Sequence, residues 1–353
     1  MPTAQWNGDL AAGLTIRAWD GSKGTLGGTS SAAVVGGSTP FSAESATVAL
    51  RVRPVNDAPT ITKLTATSVN ASTIRPYVEG AAPIVVDTAV TLADLDLASG
   101  NGGAGQWAGA TLTVERDGGS HPDDVFGASG SATSGLFLDA DGVLKVNGIA
   151  VGSYVSADGR LTMSFESSAT TAVVNTAARG ITYFNAMTND RSARTVRLVY
   201  SLDDGAGSAD VGVDQGSGGA KTASASILLN LNRRPDAVDD VAVLANPTLK
   251  AVVRGDVTPL AGQPGADSDL DGQSLTVKGL WLGDDRAARL IGNIGVLLQG
   301  QYGTLLMYGT GSYTYTFNRA VGDAQTDVFT YLVDDGRGGQ STATLTIRLG
   351  GGG

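Results

Sequence analysis

Cysteine is absent from the 353 residues, and histidine occurs once, as His121. Disulfides, thiol chemistry and Cys/His zinc sites are thereby excluded, and with them nearly every histidine-based catalytic triad. Glutamate is also scarce. Of 34 acidic residues only Glu44, Glu79, Glu115 and Glu166 are glutamate, and the other 30 are aspartate. Aspartate bonds to nearby backbone and prefers turns, whereas helical surfaces favour glutamate, so the acids belong to loops. Lysine numbers six and the formal net charge is −10, which argues against nucleic acid as a partner, because lysine and arginine carry that affinity. No apolar run approaches the ~18 residues of a membrane helix, so no membrane insertion is expected. Residues 1–6 hold neither a basic patch nor an apolar run; the expectation is a signal peptide already removed, or a piece of something longer.

What the chain has in excess is glycine, at 50 positions about twice the usual share. It shows no three-residue period, which excludes collagen. A hydrophobic fraction of 42% is enough for real cores, so the chain is not disordered.

Three segments share one plan: LTIRAWDGSKG at 14–24 returning as SATVALRV, VRLVYSLDDGAGS at 196–208 returning as TASASILLNL, and VFTYLVDDGRGGQSTATLTIRL at 328–349. Each is an alternating strand, an Asp-Gly turn and a returning strand, the pattern of a β-hairpin. Two are followed by a proline-containing link, Pro54-Val55-Asn56-Asp57-Ala58-Pro59 and Arg233-Arg234-Pro235-Asp236-Ala237. Three closing hairpins imply three modules: 1–55, only part of a sandwich; 56–233, enlarged; and 234–353. Further period-two stretches at 83–92, 110–115, 142–147, 160–165, 274–280 and 312–317 make the fold class all-β, tandem antiparallel β-sandwiches of Ig-like type. One helix is expected, over 170–179, where Val173, Val174, Ala177 and Ala178 share a face and Gly180 ends it. The excess length of the middle module falls in 98–109 and 117–135, which read as long loops.

The last module resembles the VCBS and cadherin-like repeats of bacterial surface proteins and RTX-type adhesins. The matching pieces are Pro235-Asp236-Ala237-Val238-Asp239-Asp240, Asp267-Ser268-Asp269-Leu270-Asp271-Gly272, Gly303-Thr304-Leu305, Gly311 to Tyr315, and Phe329-Thr330-Tyr331 leading to Asp334-Asp335-Gly336. The Asn56-Asp57-Ala58-Pro59 link resembles the junction between tandem modules of the same proteins. The resemblance implies an extracellular stalk, on a cell surface or secreted, whose modules are rigidified by Ca²⁺. It also implies ligand sets. Asn56, Asp57, Glu79, Asp94 and Asp96 are candidates at the first junction. Asp203, Asp204, Asp236, Asp239, Asp267 and Asp269 are candidates at the second, with Asp271 completing the acidic turn. The residues suit the ion independently, since Ca²⁺ takes six to eight oxygens from closely spaced carboxylates and carbonyls.

Other chemistries fit less well. Asp-Gly is also an ordinary turn, so Asp20, Asp203-Asp204 and Asp334-Asp335 stand as turn or metal residues alike. The 267–272 turn lacks the twelfth-position glutamate and flanking helices of an EF-hand. Gly100, Gly102 and Gly105 are followed by a strand rather than the helix a dinucleotide fingerprint needs. Ser120-His121 has no nucleophile elbow around it, so no enzyme is expected. Partners are neighbouring modules of the same chain or of another copy, which would make filaments. The alternative is an adhesin whose middle module binds cell-surface glycan, with Trp107 as the contact. Trp19 and Trp281 are assigned to cores.

Overall fold

Alternation of apolar and polar side chains places one face of each strand inward. In the computed structural model, residues 7–65, 75–186, 195–206, 213, 215–245, 248–258, 265–319 and 325–350 are described. Trp6 lies outside them. At the N-terminus β1 (Gly8–Ile16) pairs antiparallel with β2 (Ala46–Val52), from Gly8↔Val52 to Ile16↔Ala46. Neither face is covered among the described residues: Leu14 is 58% exposed, and Ile16, Val48 and Leu50 are also exposed. Trp19 is exposed too, its Nε1 donating to Lys23 O at 2.8 Å, so the expectation of a core role fails for want of an opposing sheet.

The middle sandwich holds thirteen strands among its described residues. In order these are β3 (Thr60–Thr62), β4 (Arg75–Val78), β5 (Ile84–Val85), β6 (Thr91–Ala93), β7 (Thr111–Arg116), β8 (Asp124–Ala128), β9 (Leu136–Leu138), β10 (Val143–Val146), β11 (Ile149–Ala157), β12 (Arg160–Phe165), β13 (Ile181–Asn185), β14 (Thr195–Asp203) and β15 (Thr222–Asn232). One sheet runs β4-β15-β14-β7-β12-β11-β10-β9, faced by β5-β13-β8 and by the pair β3-β6. Leu112, Val114, Leu161, Met163, Leu198 and Tyr200 lie in the single core between them. The expected 83–92 strand is broken at the buried Asp87, whose Oδ1 accepts from Ala89 N and Val90 N.

Two short helices decorate this sandwich. The expected one is α2 (Thr171–Arg179), with Thr170 as N-cap and Gly180 as C-cap. The unexpected one is α1 (Leu95–Ser99), started by the Asp94 carboxylate accepting from Leu97 N at 2.8 Å, a side-chain N-cap. Five residues are too few for a helical period to be visible in sequence.

Neither long loop is what it seemed. Residues 124–128 form β8, paired along its length with β13. Trp107 is fully buried, its Nε1 donating to Thr171 Oγ1 at 3.1 Å. The glycan contact assigned to Trp107 is therefore corrected to a core role. The adjoining glycines let the backbone close on α2: a Cβ on Gly105 would lie 2.1 Å from Thr171 Oγ1, and its φ is +88°.

The last sandwich is β16 (Asp240–Leu244), β17 (Val252–Asp256), β18 (Thr276–Leu282), β19 (Leu297–Gln299), β20 (Gly303–Met307), β21 (Ser312–Phe317), β22 (Gln325–Asp334) and β23 (Gln340–Leu349). Its sheets are β16-β23-β22-β18 and β17-β21-β20-β19, closing over Leu280, Leu305, Tyr315, Phe329, Tyr331 and Ile347. Trp281 is buried here as expected.

Candidate functional site

The antiparallel pairing of β14 with β15 decides which acids can meet. Asp203 pairs with Thr222 at the turn, while Asn232 stands at the far end of an eleven-residue strand, roughly 35 Å away at ~3.3 Å per residue. Asp203 and Asp204 therefore lie at the first junction, not the second. Asp204 is buried there, its Oδ2 accepting from Asn56 Nδ2 at 2.7 Å. Asp203 is a turn residue, accepting from Gly205 N. Asp96 Oδ2 accepts from Asp57 N at 2.8 Å. Hydrogen bonds thus tie Asn56 to Asp204 and Asp57 to Asp96, with Asp94 capping the helix that carries Asp96.

Glu79 is not among them. Its Oε2 accepts from Arg234 N at 3.0 Å, and its own N–H donates to Asn232 O at 2.8 Å. It belongs to the second junction, because β4 runs parallel to β15 and ends at the same edge.

Four orphaned atoms mark the chemistry. Asn56 Oδ1, Asp94 Oδ2, Gln215 Oε1 and Asp267 Oδ2 are buried and accept no hydrogen bond from any described residue. Three of them, on Asn56, Asp94 and Gln215, are in the first junction, where Gln215 Nε2 donates to Asp204 O at 3.1 Å, and none of the three residues is more than 4% exposed. Burial pushes the Asp94 carboxyl up to about 6, and the Asp96 and Asp204 charges push the same way. Asp96 is raised by burial and then by Asp57 and Asp204. Buried oxygens without donors are costly, and a hard cation satisfies them. The donor set is oxygen-only, which fits Ca²⁺. Among the described residues, no three carboxylates are drawn together closely enough to hold an ion by themselves; the amide oxygen of Asn56 is part of the set. An open cavity of about 450 Å³ beside the link is lined by Arg53, Val55, Asp57, Leu95 and Asp96.

The second junction repeats this frame. Thr60 pairs with Ala93, and Asp236 with Ser268. Asn232 Nδ2 donates to Asp335 Oδ2 at 2.7 Å as Asn56 does to Asp204, and Arg233 N donates to Asp271 Oδ2 at 2.8 Å as Asp57 does to Asp96. Asp269 and Asp271 hence occupy the places of Asp94 and Asp96. Burial raises the Asp269 carboxyl, and the Asp271 and Asp335 charges add to it. The acids expected beside them are elsewhere. Asp239 pairs with Arg286 at 2.7 Å and accepts from Thr344 N. Asp236 is exposed, with its backbone bridged to Ser268. Asp267 accepts from Val238 N at 2.7 Å and lies 3.4 Å from the Tyr331 hydroxyl, which donates to Asp240 at 2.8 Å. The 267–271 turn therefore splits: Asp267 enters the sandwich edge with Asp240, and Asp269 and Asp271 face the link. Asp240 was not a ligand candidate in sequence, and Asp335 was read there as a turn or metal residue without being assigned to a junction. Asp335 was legible as a turn, since it repeats Asp204.

The His121 loop is structural: Nδ1 accepts from Asp123 N at 3.2 Å. Asp124 beside it is buried against Arg116, Tyr183 and Asn185.

Residues 232–351 match the family model of the bacterial cadherin-like domain. That segment has a cadherin-like fold. No curated protein matches the chain. Similar solved structures include human CDH23 EC21-23, at 13% identity, 87% of this chain, 69% of that one and a TM-score of 0.34. Mouse cadherin-23 EC22-24 aligns at 11% identity over 83% of this chain and 67% of that one, with a TM-score of 0.28. An endo-fucoidan hydrolase from glycoside hydrolase family 107 aligns at 12% identity over 67% of this chain and 23% of its own, with a TM-score of 0.21.

Proposed function

We propose that this chain is a non-enzymatic extracellular spacer of a bacterial surface protein of the VCBS or RTX-adhesin kind, built from modules 1–55, 56–233 and 234–353. Ca²⁺ at the first junction holds the link to the middle sandwich. The observation that carries this reading is the pair of buried, donorless oxygens, Asn56 Oδ1 and Asp94 Oδ2, in a link where Asp204 accepts from the Asn56 amide and Asp96 accepts from Asp57 N. Asn56, Asp57, Asp94, Asp96 and Asp204 would hold the ion, which supplies charge neutralisation and no reaction. Without it, the neighbouring carboxylates of Asp94, Asp96 and Asp204 repel one another.

Small-angle scattering of the whole chain tests this. Millimolar Ca²⁺, the range of extracellular calcium modules, should lengthen and narrow the distance distribution relative to chelator, and Asp94→Ala should abolish the change. Superimposable profiles would refute it. The open β1–β2 hairpin also favours assembly with another copy, since an uncovered sheet takes an added strand. Light scattering that stays monomeric at high concentration would remove that part.

A further inference from the structure

The two junctions share one hydrogen-bonded frame but differ in several side chains, three of which add donors beside it. Asp57 is replaced by Arg233, Ala58 by Arg234 and Ala98 by Gln273, each at the same distance from the shared asparagine and the shared acidic pair. Every replacement brings a donor to a place where the first junction has none. The Arg233 guanidinium is 5% exposed and bonds Asp271 Oδ1 through Nε at 3.0 Å and through NH2, while also donating to Leu270 O at 2.9 Å. Arg234 donates to Glu79 Oε2 through its N–H, and its guanidinium reaches Gly80 O at 3.2 Å. Gln273 Nε2 donates to Asn232 Oδ1 at 2.9 Å or, with the amide turned over, to Asn232 Oδ1 at 3.2 Å and to the two Asp269 oxygens at 3.0 and 3.2 Å.

The consequence is visible in the orphaned atoms. Asn56 Oδ1 and Asp94 Oδ2 are buried and lack donors, whereas Asn232 Oδ1 accepts from Gln273 Nε2 at 2.9 Å and Asp269, half-buried rather than buried, accepts from Asp271 N at 2.7 Å. An open cavity of about 540 Å³ reaches Asn232, Asp271, Gln273 and Asp335, so the second junction is set apart by its added donors and not by closure to solvent.

We propose that Arg233, supported by Arg234 and Gln273, takes the place of a divalent cation at the second junction, so that this joint is held without calcium while the first requires it. The contrast rests on the calcium reading of the first junction; the arginine clamp itself does not. A guanidinium stays charged at any physiological pH and forks onto a carboxylate in fixed geometry. It is part of the chain, so its occupancy does not vary with the medium, whereas a bound ion stabilises only as its concentration exceeds its dissociation constant. The middle and last sandwiches then move as one unit in all conditions, and stiffness is regulated at the first joint alone.

Hydrogen exchange read by mass spectrometry on the intact chain separates the joints. Adding millimolar Ca²⁺ to chelated protein should slow exchange of residues 54–58 and 94–100 by about tenfold or more, and change 231–236 and 269–273 by less than about twofold. In chelator, Arg233→Gln should speed exchange at 231–236, and Arg233→Lys should restore part of the protection. The double change Asp57→Arg with Ala98→Gln should remove the calcium response of 54–58. Calcium-dependent slowing at 231–236 in the natural chain would overturn the proposal, and so would an Arg233→Gln chain whose 231–236 exchange in chelator is unchanged. Silence of 54–58 with a loosened Arg233→Gln joint would discard the calcium reading and keep the clamp.

Discussion

Asp267→Asn should make the last sandwich more stable above neutral pH and nearly unchanged below about pH 4. Asp267 is only 6% exposed, and one carboxylate oxygen has no donor. Burial, then the neighbouring Asp240 and Asp239 charges, push its carboxyl from 3.8 up to about 7; the Val238 N–H and the Tyr331 hydroxyl oppose this. Asp240 is pushed up to about 6, first by burial and then by Asp239 and Asp256, against the Tyr331 hydrogen bond. Because the folded value lies above the unfolded one, the stabilising contribution is whole below about pH 4 and is lost as pH rises through about 7. A displacement from 3.8 to about 7 corresponds to roughly 4 kcal/mol. The two acids share one environment, so about 2–4 kcal/mol is the range for the pair rather than a sum. An asparagine keeps an acceptor for Val238 N and gives Asp240 a donor, without a charge. Thermal unfolding in chelator between pH 4.5 and 8.5 should show the natural chain losing on the order of 10 °C in its last-sandwich transition. The Asp267→Asn profile should be nearly flat. Parallel profiles would refute the assignment of this pH dependence to Asp267.

Trp107→Ala should cost about 3–5 kcal/mol, the usual loss for a buried aromatic, and lower the melting temperature of the middle sandwich by roughly 10 °C. An unchanged melt would contradict the buried position. Asp124→Ala strands the Arg116 guanidinium, which bonds both Asp124 oxygens at 2.8 and 2.7 Å. Breaking such a buried pair costs about 3–5 kcal/mol, and chemical unfolding should show it; a loss below about 1 kcal/mol would mean the pair is solvated.

The hairpins were legible because Asp-Gly turns and strict alternation are local signals that packing did not override. The helix over 170–179 was legible for the same reason: its cap, face and terminator lie within eleven residues. Trp107 was misread because a glycine-rich run looks like loose loop, yet the same glycines are what let backbone approach Thr171. Among the junction acids, Glu79, Asp203 and Asp204 were assigned to the wrong ends. Glu79 and Asp204 exchange places once strand direction is followed: β14 and β15 form a hairpin, so their turn cannot lie beside Asn232. That much was derivable from the sequence. The role of Arg233 was not, because it depends on hydrogen bonds linking residues 38 positions apart.

Isothermal calorimetry of Ca²⁺ into the chelator-stripped chain, beside the Asp94→Ala variant, measures the proposed role of the first junction most directly. The natural chain should show saturable binding with a dissociation constant of about 10⁻⁴–10⁻³ M, and a melting temperature of the middle sandwich that rises with calcium. The variant should lose the binding at Asn56 and Asp94. Natural chain and variant giving the same heats, or no saturable heat in either, would contradict it.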